Sequence, residues 1–225
     1  MIAQDLNENK NPEKWIKSTF NPNLLNDSVL FFFAFVQMAH TVLTERLVLR
    51  PFTEADLELL HSLYSDPVIM EYMPFDCEDM EASKAHLERI IADWKVNPVV
   101  NYEFAILRRD TGDKIGRCHI QIDTETDTGM IGWLLKETEW GKGYATEITG
   151  ALIDYCFNVI ALHRVNALCN PDNKASTTVL KKFMRLEAHY VQKVRYIKNG
   201  VETWRDEGSG DELEFALLKS EYKKE

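Results

Sequence analysis

No two of the four cysteines, Cys77, Cys118, Cys156 and Cys169, are spaced as a CxxC pair. That argues against a structural metal site and against a dithiol redox motif. Cys118 and Cys169 fall in strand-like runs and Cys156 in a helical one, so small buried hydrophobes in a reducing compartment is the expected role. Glycine and proline are not enriched, and no internal repeat is visible. The apolar run Val29-Leu30-Phe31-Phe32-Phe33-Ala34-Phe35-Val36 is far shorter than the roughly 20 residues of a bilayer-spanning helix. Positive charge is scarce too: 26 Lys and Arg face 36 Asp and Glu, for a net charge of −10. Such an excess argues against nucleic acid or an anionic membrane as partner. It serves solubility, or favours a cationic substrate such as an amine.

What is present is globular. Apolar residues make up 45% and charged residues 28% of a 225-residue chain, enough for one domain with a full core. Residues 1–40 differ from the rest, being rich in Asn, Lys, Pro and Glu before the aromatic run. Lys10, Lys14 and Lys17 ahead of that run allow a signal peptide, but no small-x-small cleavage site follows. An accessory tail, or a natural start at Met38, is the favoured reading.

The compact part begins near Thr44. Arg46 to Arg50 alternates polar and apolar residues as a strand does, and Thr53 is placed to cap the helix that carries Leu57, Leu60 and Leu63. A second helix is expected from about Glu78 to Trp94. Strands follow around Tyr102–Ile106, Ile115–Ile122 and Ile131–Leu135, the first two joined by a turn at Gly112-Asp113. A helix from Ala145 to about Val159, a strand from Arg164 to Cys169, a helix from Asn173 to about Phe183, and strands over Tyr190–Ile197 and Leu213–Leu218 complete the order. The expected fold class is α/β, of the mixed α+β kind: a central, mostly antiparallel twisted sheet with one parallel crossover, flanked by helices.

The chemistry concentrates in Trp140-Gly141-Lys142-Gly143-Tyr144-Ala145-Thr146-Glu147, between a strand and a long helix. Two glycines let the backbone approach a ligand, and the helix start offers N–H groups with no internal partner. Together they form a nest for phosphate oxygens, to which Lys142 adds charge. Neither GxxxxGK[ST] nor GxGxxG is present, so the nucleotide-binding readings built on those motifs fall away. A tight turn with no ligand stays open for the glycines alone. The second constellation is Asn170-Pro171-Asp172-Asn173-Lys174-Ala175-Ser176. Asn173 or Asp172 serves as a helix cap, or the amide reaches a ligand amide, with Ser176 one turn into the helix.

These pieces, with Glu45-Arg46-Leu47-Val48-Leu49-Arg50-Pro51, Ile131-Gly132-Trp133-Leu134-Leu135 and the tail Asp211 to Leu218, carry a resemblance. From about Thr44 to Tyr222 the chain resembles the RimJ/RimL-type branch of the GNAT N-acetyltransferases. The resemblance implies an extension over residues 1–40, a GNAT domain over 41–225, a cytoplasmic enzyme, and acetyl-CoA as cosubstrate with no metal. It implies that Gly141, Lys142, Gly143, Tyr144, Ala145 and Thr146 hold the CoA pyrophosphate. It implies further that Trp133, Leu134 and Leu135 pair with the pantetheine arm, that Asn173 bonds it, and that Ser176 protonates the departing thiolate. The acceptor is a small amine or a protein N-terminus, and a homodimer is allowed. Two departures stand out: Lys181-Lys182-Phe183-Met184 lacks a glycine that the family carries there, and extra residues around Arg205 to Gly210 lengthen a hairpin loop. No base is assigned. Glu103 alternates with buried strand positions and could point into the cleft as a base, and His119 is similar, but Glu103 is expected on a solvated strand face and His119 as a hydrogen-bonded structural residue. The competing function is a non-catalytic acyl-CoA-binding module on the same fold.

Overall fold

The computed structural model describes residues 39–191, 193–198, 201–204 and 210–222. The aromatic run and most of the extension, like the loop expected around Arg205, lie outside the described residues. An eight-stranded sheet has the order β1-β2-β3-β4-β5-β6-β10-β7, with a separate β8–β9 hairpin. The first strands are β1 (Val42–Leu43), β2 (Leu47–Pro51), β3 (Asn101–Arg108), β4 (Lys114–Asp123) and β5 (Thr128–Leu135). The later ones are β6 (Arg164–Cys169), β7 (Arg185–Tyr190), β8 (Arg195–Lys198), β9 (Val201–Trp204) and β10 (Glu212–Leu218). Helices α1 (Leu57–Tyr64), α2 (Met80–Asp93), α3 (Tyr144–Tyr155) and α4 (Lys174–Leu180) flank it. The mixed, mostly antiparallel architecture is the one expected.

Alternation along the strands makes two cores. Phe104, Ile106, Cys118, Ile120 and Ile131 face α3 through Ile148 and Leu152. Val48, Ala105 and Leu107 face α1 and α2 through Leu60, Leu63, Leu87 and Ile90. The turn before β4 has Gly112 at φ 77°, a left-handed conformation that glycine takes without strain. Below α1, Asp56 is fully buried and accepts from both terminal nitrogens of Arg50 (2.7 and 2.9 Å) and from the Thr53 N–H (2.8 Å), with Lys114 at 2.7 Å. Burial alone would raise its pKa, but these partners outweigh it and hold the carboxyl well below the usual range.

Three expectations are revised. The strand placed at Tyr190–Ile197 is two strands, β7 and β8, and β7 begins earlier, at Arg185. It is an edge strand whose side chains are almost all exposed, so Arg185-Leu186-Glu187-Ala188-His189-Tyr190 shows no buried face to read. The helix expected from Ala145 to Val159 runs as α3 to Tyr155 and then widens into a π turn over Cys156–Ile160, closed by Ala161 at φ 69°. Among the cysteines, Cys118 and Cys156 are buried and Cys169 is half-buried, but Cys77 is exposed.

One feature of the sheet places the site. β5 and β6 run parallel, but they pair only over Thr128–Met130 and Arg164–Asn166. β5 continues to Leu135 and β6 to Cys169, so the two strands part and the sheet opens between them.

Candidate active site

The open wedge leads to a glycine-rich helix start. The Trp140 indole N–H donates to the Leu135 carbonyl (2.9 Å), tying the loop to the end of β5. Gly141 and Gly143 have φ of 73° and 82°, and a Cβ on Gly141 would meet nothing within 4 Å. The loop therefore needs glycine for its backbone conformation and leaves open space in front of it. Gly143 is the N-cap of α3 and supplies no side-chain acceptor. The first turn closes with the Glu147 N–H on the Gly143 carbonyl (3.2 Å). The N–H groups of Tyr144, Ala145 and Thr146 precede that bond and point out of the helix.

Arg46 pins this start. Its guanidinium lies 4.6 Å from the Tyr144 ring centroid, pairs with Glu147 at 2.7 Å and donates to the Lys142 carbonyl at 2.9 Å. Burial pushes the Glu147 pKa up, but hydrogen bonds from Thr44 and Arg46 prevail and lower it. Lys142 pairs with Glu139 at 3.1 Å. These contacts tie the loop and the helix start to β2 and to the end of β5.

On the α1–α2 side of the sheet lies a cleft of about 890 Å³. Trp133, Leu134, Asn173 and Ser176 line it together, whereas Leu135 and residues 141–146 sit beyond it at the end of β5. Asn173 does two things at once. Its Oδ1 caps α4 by accepting from the Ser176 N–H (3.0 Å), and its Nδ2 has no partner among the described residues. The cap and ligand readings of Asn173 are therefore compatible. The Ser176 hydroxyl likewise has no partner among the described residues, while the Thr177 hydroxyl donates to the Asn173 carbonyl (2.9 Å).

The floor of the cleft departs from the sequence expectations. Glu103 does not face solvent; it lines the cleft and pairs with Arg117, which is 5% exposed and also donates to the Tyr64 hydroxyl. Arg117 stays charged because Glu103 outweighs the cost of burial. His119 is not held as a hydrogen-bonded structural residue: its Nδ1 is buried with no partner among the described residues. Burial, with help from Arg117, lowers its pKa to about 3, so the ring is neutral. Its imidazole fills the space over Gly132, where a Cβ would lie 2.4 Å from Cε1. On the opposite wall His86 Nδ1 meets Glu78 Oε1 at 2.9 Å.

Arg117, Tyr64, Glu78 and His86 were not singled out from the sequence. Only the register shows the connection: Glu103 pairs with His119 on β4, and His119 with Gly132 on β5.

A family profile described as "Acetyltransferase (GNAT) domain" matches residues 46–183. The chain is 31% identical over 186 residues to "Uncharacterized N-acetyltransferase p20" of Bacillus licheniformis, which covers 81% of this chain and 98% of that one. Its fold matches the crystal structure of a GNAT-family acetyltransferase from Bacillus anthracis, with a TM-score of 0.67 and 27% identity over 80% of this chain and 99% of that one. It also matches the fold of spermidine N-acetyltransferase from Vibrio cholerae, solved with CoA and spermine, with a TM-score of 0.65 and 19% identity over 79% of this chain and 98% of that one. A parted pair of strands beside a glycine-capped helix start, on a chain with these relatives, makes this protein a member of the GNAT acetyltransferase family and an acyltransferase.

Proposed function

We propose that the protein moves the acetyl group of acetyl-CoA to a primary amine by direct attack of the amine on the thioester, as a RimJ/RimL-type member of its family. The observation that carries this reading is the wedge between β5 and β6, which opens beside donors with no internal acceptor. The edge of β5 over Trp133, Leu134 and Leu135 can take the pantetheine amides as it would a neighbouring strand. Residues 141–146 then receive the pyrophosphate, and Asn173 Nδ2 a pantetheine carbonyl. Attack by the amine places negative charge on the thioester oxygen, which a backbone N–H near residues 134–135 stabilises. Ser176 returns a proton to the sulfur. The amine enters from the α1–α2 side and gives up its proton there to water. With a pKa near 3, His119 is too weak a base to take it and instead offers the acceptor a neutral polar contact. The acceptor is a protein N-terminus, an amino acid or another small amine.

The experiment is thiol release from acetyl-CoA across a panel containing N-terminal peptides, amino acids and polyamines. Acetylation of at least one member, with the product seen by mass, is expected. Tight acetyl-CoA binding with no product from any amine would overturn transfer and leave a binding module.

A further inference from the structure

Three of the four buried side-chain atoms without a partner among the described residues line one cleft: Glu78 Oε2, Arg117 Nε and His119 Nδ1. Buried polar atoms are normally paired, so this concentration marks a place that a bound molecule or water completes. Arg117 and His119 belong to the floor. Glu78 belongs to the opposite wall, and beside it stands His86, which the mechanism above leaves unused.

The wall holds that histidine in one orientation. The Glu78 N–H donates to the Tyr64 carbonyl (2.9 Å), fixing the segment before α2 to the end of α1. The His86 side chain is 10% exposed and meets the Tyr64 ring edge to face, with centroids 4.7 Å apart. Its Nδ1 lies 2.9 Å from Glu78 Oε1. A carboxylate only accepts, so Nδ1 carries the hydrogen and the lone pair of the neutral ring sits on Nε2. Nε2 has no partner among the described residues. The groups that face the ring are Glu78, Arg89 of its own helix, Arg117 of β4 and Tyr64 of α1. Burial lowers the His86 pKa by more than Glu78 raises it, and the two arginines lower it further, so the ring is neutral at pH 7 and able to accept a proton. Contacts also link it to the reacting end of the cleft. Leu134, at the candidate oxyanion N–H, is the register partner of Arg117, and Arg117 donates to the hydroxyl of the same Tyr64.

We propose that His86 is the general base of acetyl transfer, taking up at Nε2 the amine proton that water carries, and that Glu78 is the residue that positions its ring. This rests on the acetyl-transfer reading above. As the amine nitrogen bonds to the thioester carbon, its proton passes through the water to Nε2 and the carbonyl oxygen takes the negative charge. Collapse restores the carbonyl and breaks the carbon–sulfur bond, Ser176 protonates the sulfur, and the proton on His86 returns to solvent.

The test uses the panel amine that the wild type acetylates fastest. For the wild type, His86→Gln, His86→Ala and Glu78→Gln it measures kcat, KM, acetyl-CoA affinity and melting temperature, and kcat/KM against pH. His86→Gln is expected to lower kcat by about 100-fold at pH 7 and to leave acetyl-CoA affinity unchanged. Free imidazole should restore part of the turnover of His86→Ala and none of that of Ser176→Ala. The wild-type kcat/KM should fall on the acid side below the usual histidine range. His86→Gln should lose that limb and keep the one set by the amine's own ionisation. Glu78→Gln removes the charge that raises the His86 pKa, so its limb should move to lower pH. Long-range proton–nitrogen NMR of the wild type should show Nε2 unprotonated at pH 7. A folded His86→Gln protein with wild-type kcat, an acid limb that neither variant alters, or a hydrogen on Nε2 would each overturn the proposal. A wild type that acetylates no amine would instead strike the transfer reading.

Discussion

The double duty of Asn173 allows its two roles to be separated. Replacing it with alanine removes the cap of α4, and losing an Asn cap costs about 1 kcal/mol. For a chain of this size that lowers the melting temperature by about 2–4 °C. The same change deletes the free Nδ2 donor, so Asn173→Ala mixes stability with binding. Asn173→Asp does not. A carboxylate caps a helix as well as an amide does, and its oxygen can keep the 3.0 Å bond from the Ser176 N–H. What it lacks is the donor, and it sets an acceptor where the pantetheine carbonyl is proposed to lie. The loss of one hydrogen bond plus an unsatisfied pair of acceptors is worth about 1.5–3 kcal/mol, or roughly 10- to 100-fold in affinity. Calorimetric titration with acetyl-CoA and thermal melts of the two variants are the assay. Asn173→Asp should melt like the wild type and bind poorly. If it binds acetyl-CoA as tightly as the wild type, Asn173 caps a helix and does nothing else, and the placement of the pantetheine arm is wrong.

Other outcomes follow from the same geometry. Ser176→Ala should lower kcat by about 10- to 100-fold with an unchanged melting temperature, because its hydroxyl supports nothing else among the described residues; a stable variant with full turnover refutes the leaving-group role. Gly143→Asp sets a side chain at φ 82° and a negative charge before the helix start, and should abolish the rise in melting temperature caused by acetyl-CoA, as read by differential scanning fluorimetry. Asp56 is ionised with Arg50 and Lys114 in the fold and has a depressed pKa, so its contribution is full above about pH 4, the unfolded value, and fades as pH falls towards the folded one. Asp56→Asn should therefore cost about 3–5 kcal/mol at pH 7 and less at pH 3, in urea melts at the two pH values.

The readable parts of the sequence were those with a strong local period or a turn residue with one job. Tyr102, Phe104 and Ile106 announce β3 because one face of the strand is core, and Gly112 marks its turn because the left-handed conformation demands it. The turn before α3 is readable for the same reason: Gly141 and Gly143 both take the left-handed conformation that favours glycine. β7 is hard to place from the sequence because an exposed edge strand has no period to show. The cleft floor was hidden for a different reason. Glu103, Arg117 and His119 look like polar residues on the solvent side of a half-buried sheet. They meet only because the register of β3, β4 and β5 sets them beside Gly132, and because the segment between α1 and α2 covers them. Long-range pairing of that kind leaves no trace in any short stretch of chain.

The parting of β5 from β6 has a mechanical consequence. Among the described residues, three register pairs of the β5–β6 ladder, extended by the Asp127 carbonyl that accepts from the His163 and Arg164 N–H groups, join one half-sheet, β1 to β5, to the other, β6, β10 and β7. Beyond that short seam the halves are bridged by α3 and by whatever lies in the gap. A molecule that hydrogen-bonds along the free edge of β5 while touching Asn173 at the start of α4 would act as a rivet across the seam. Amide protons of residues 131–135 that face the gap should then exchange quickly in the empty protein and slowly in the loaded one. Those facing β4 should be slow in both, so that this one strand reports on the joint from its two edges.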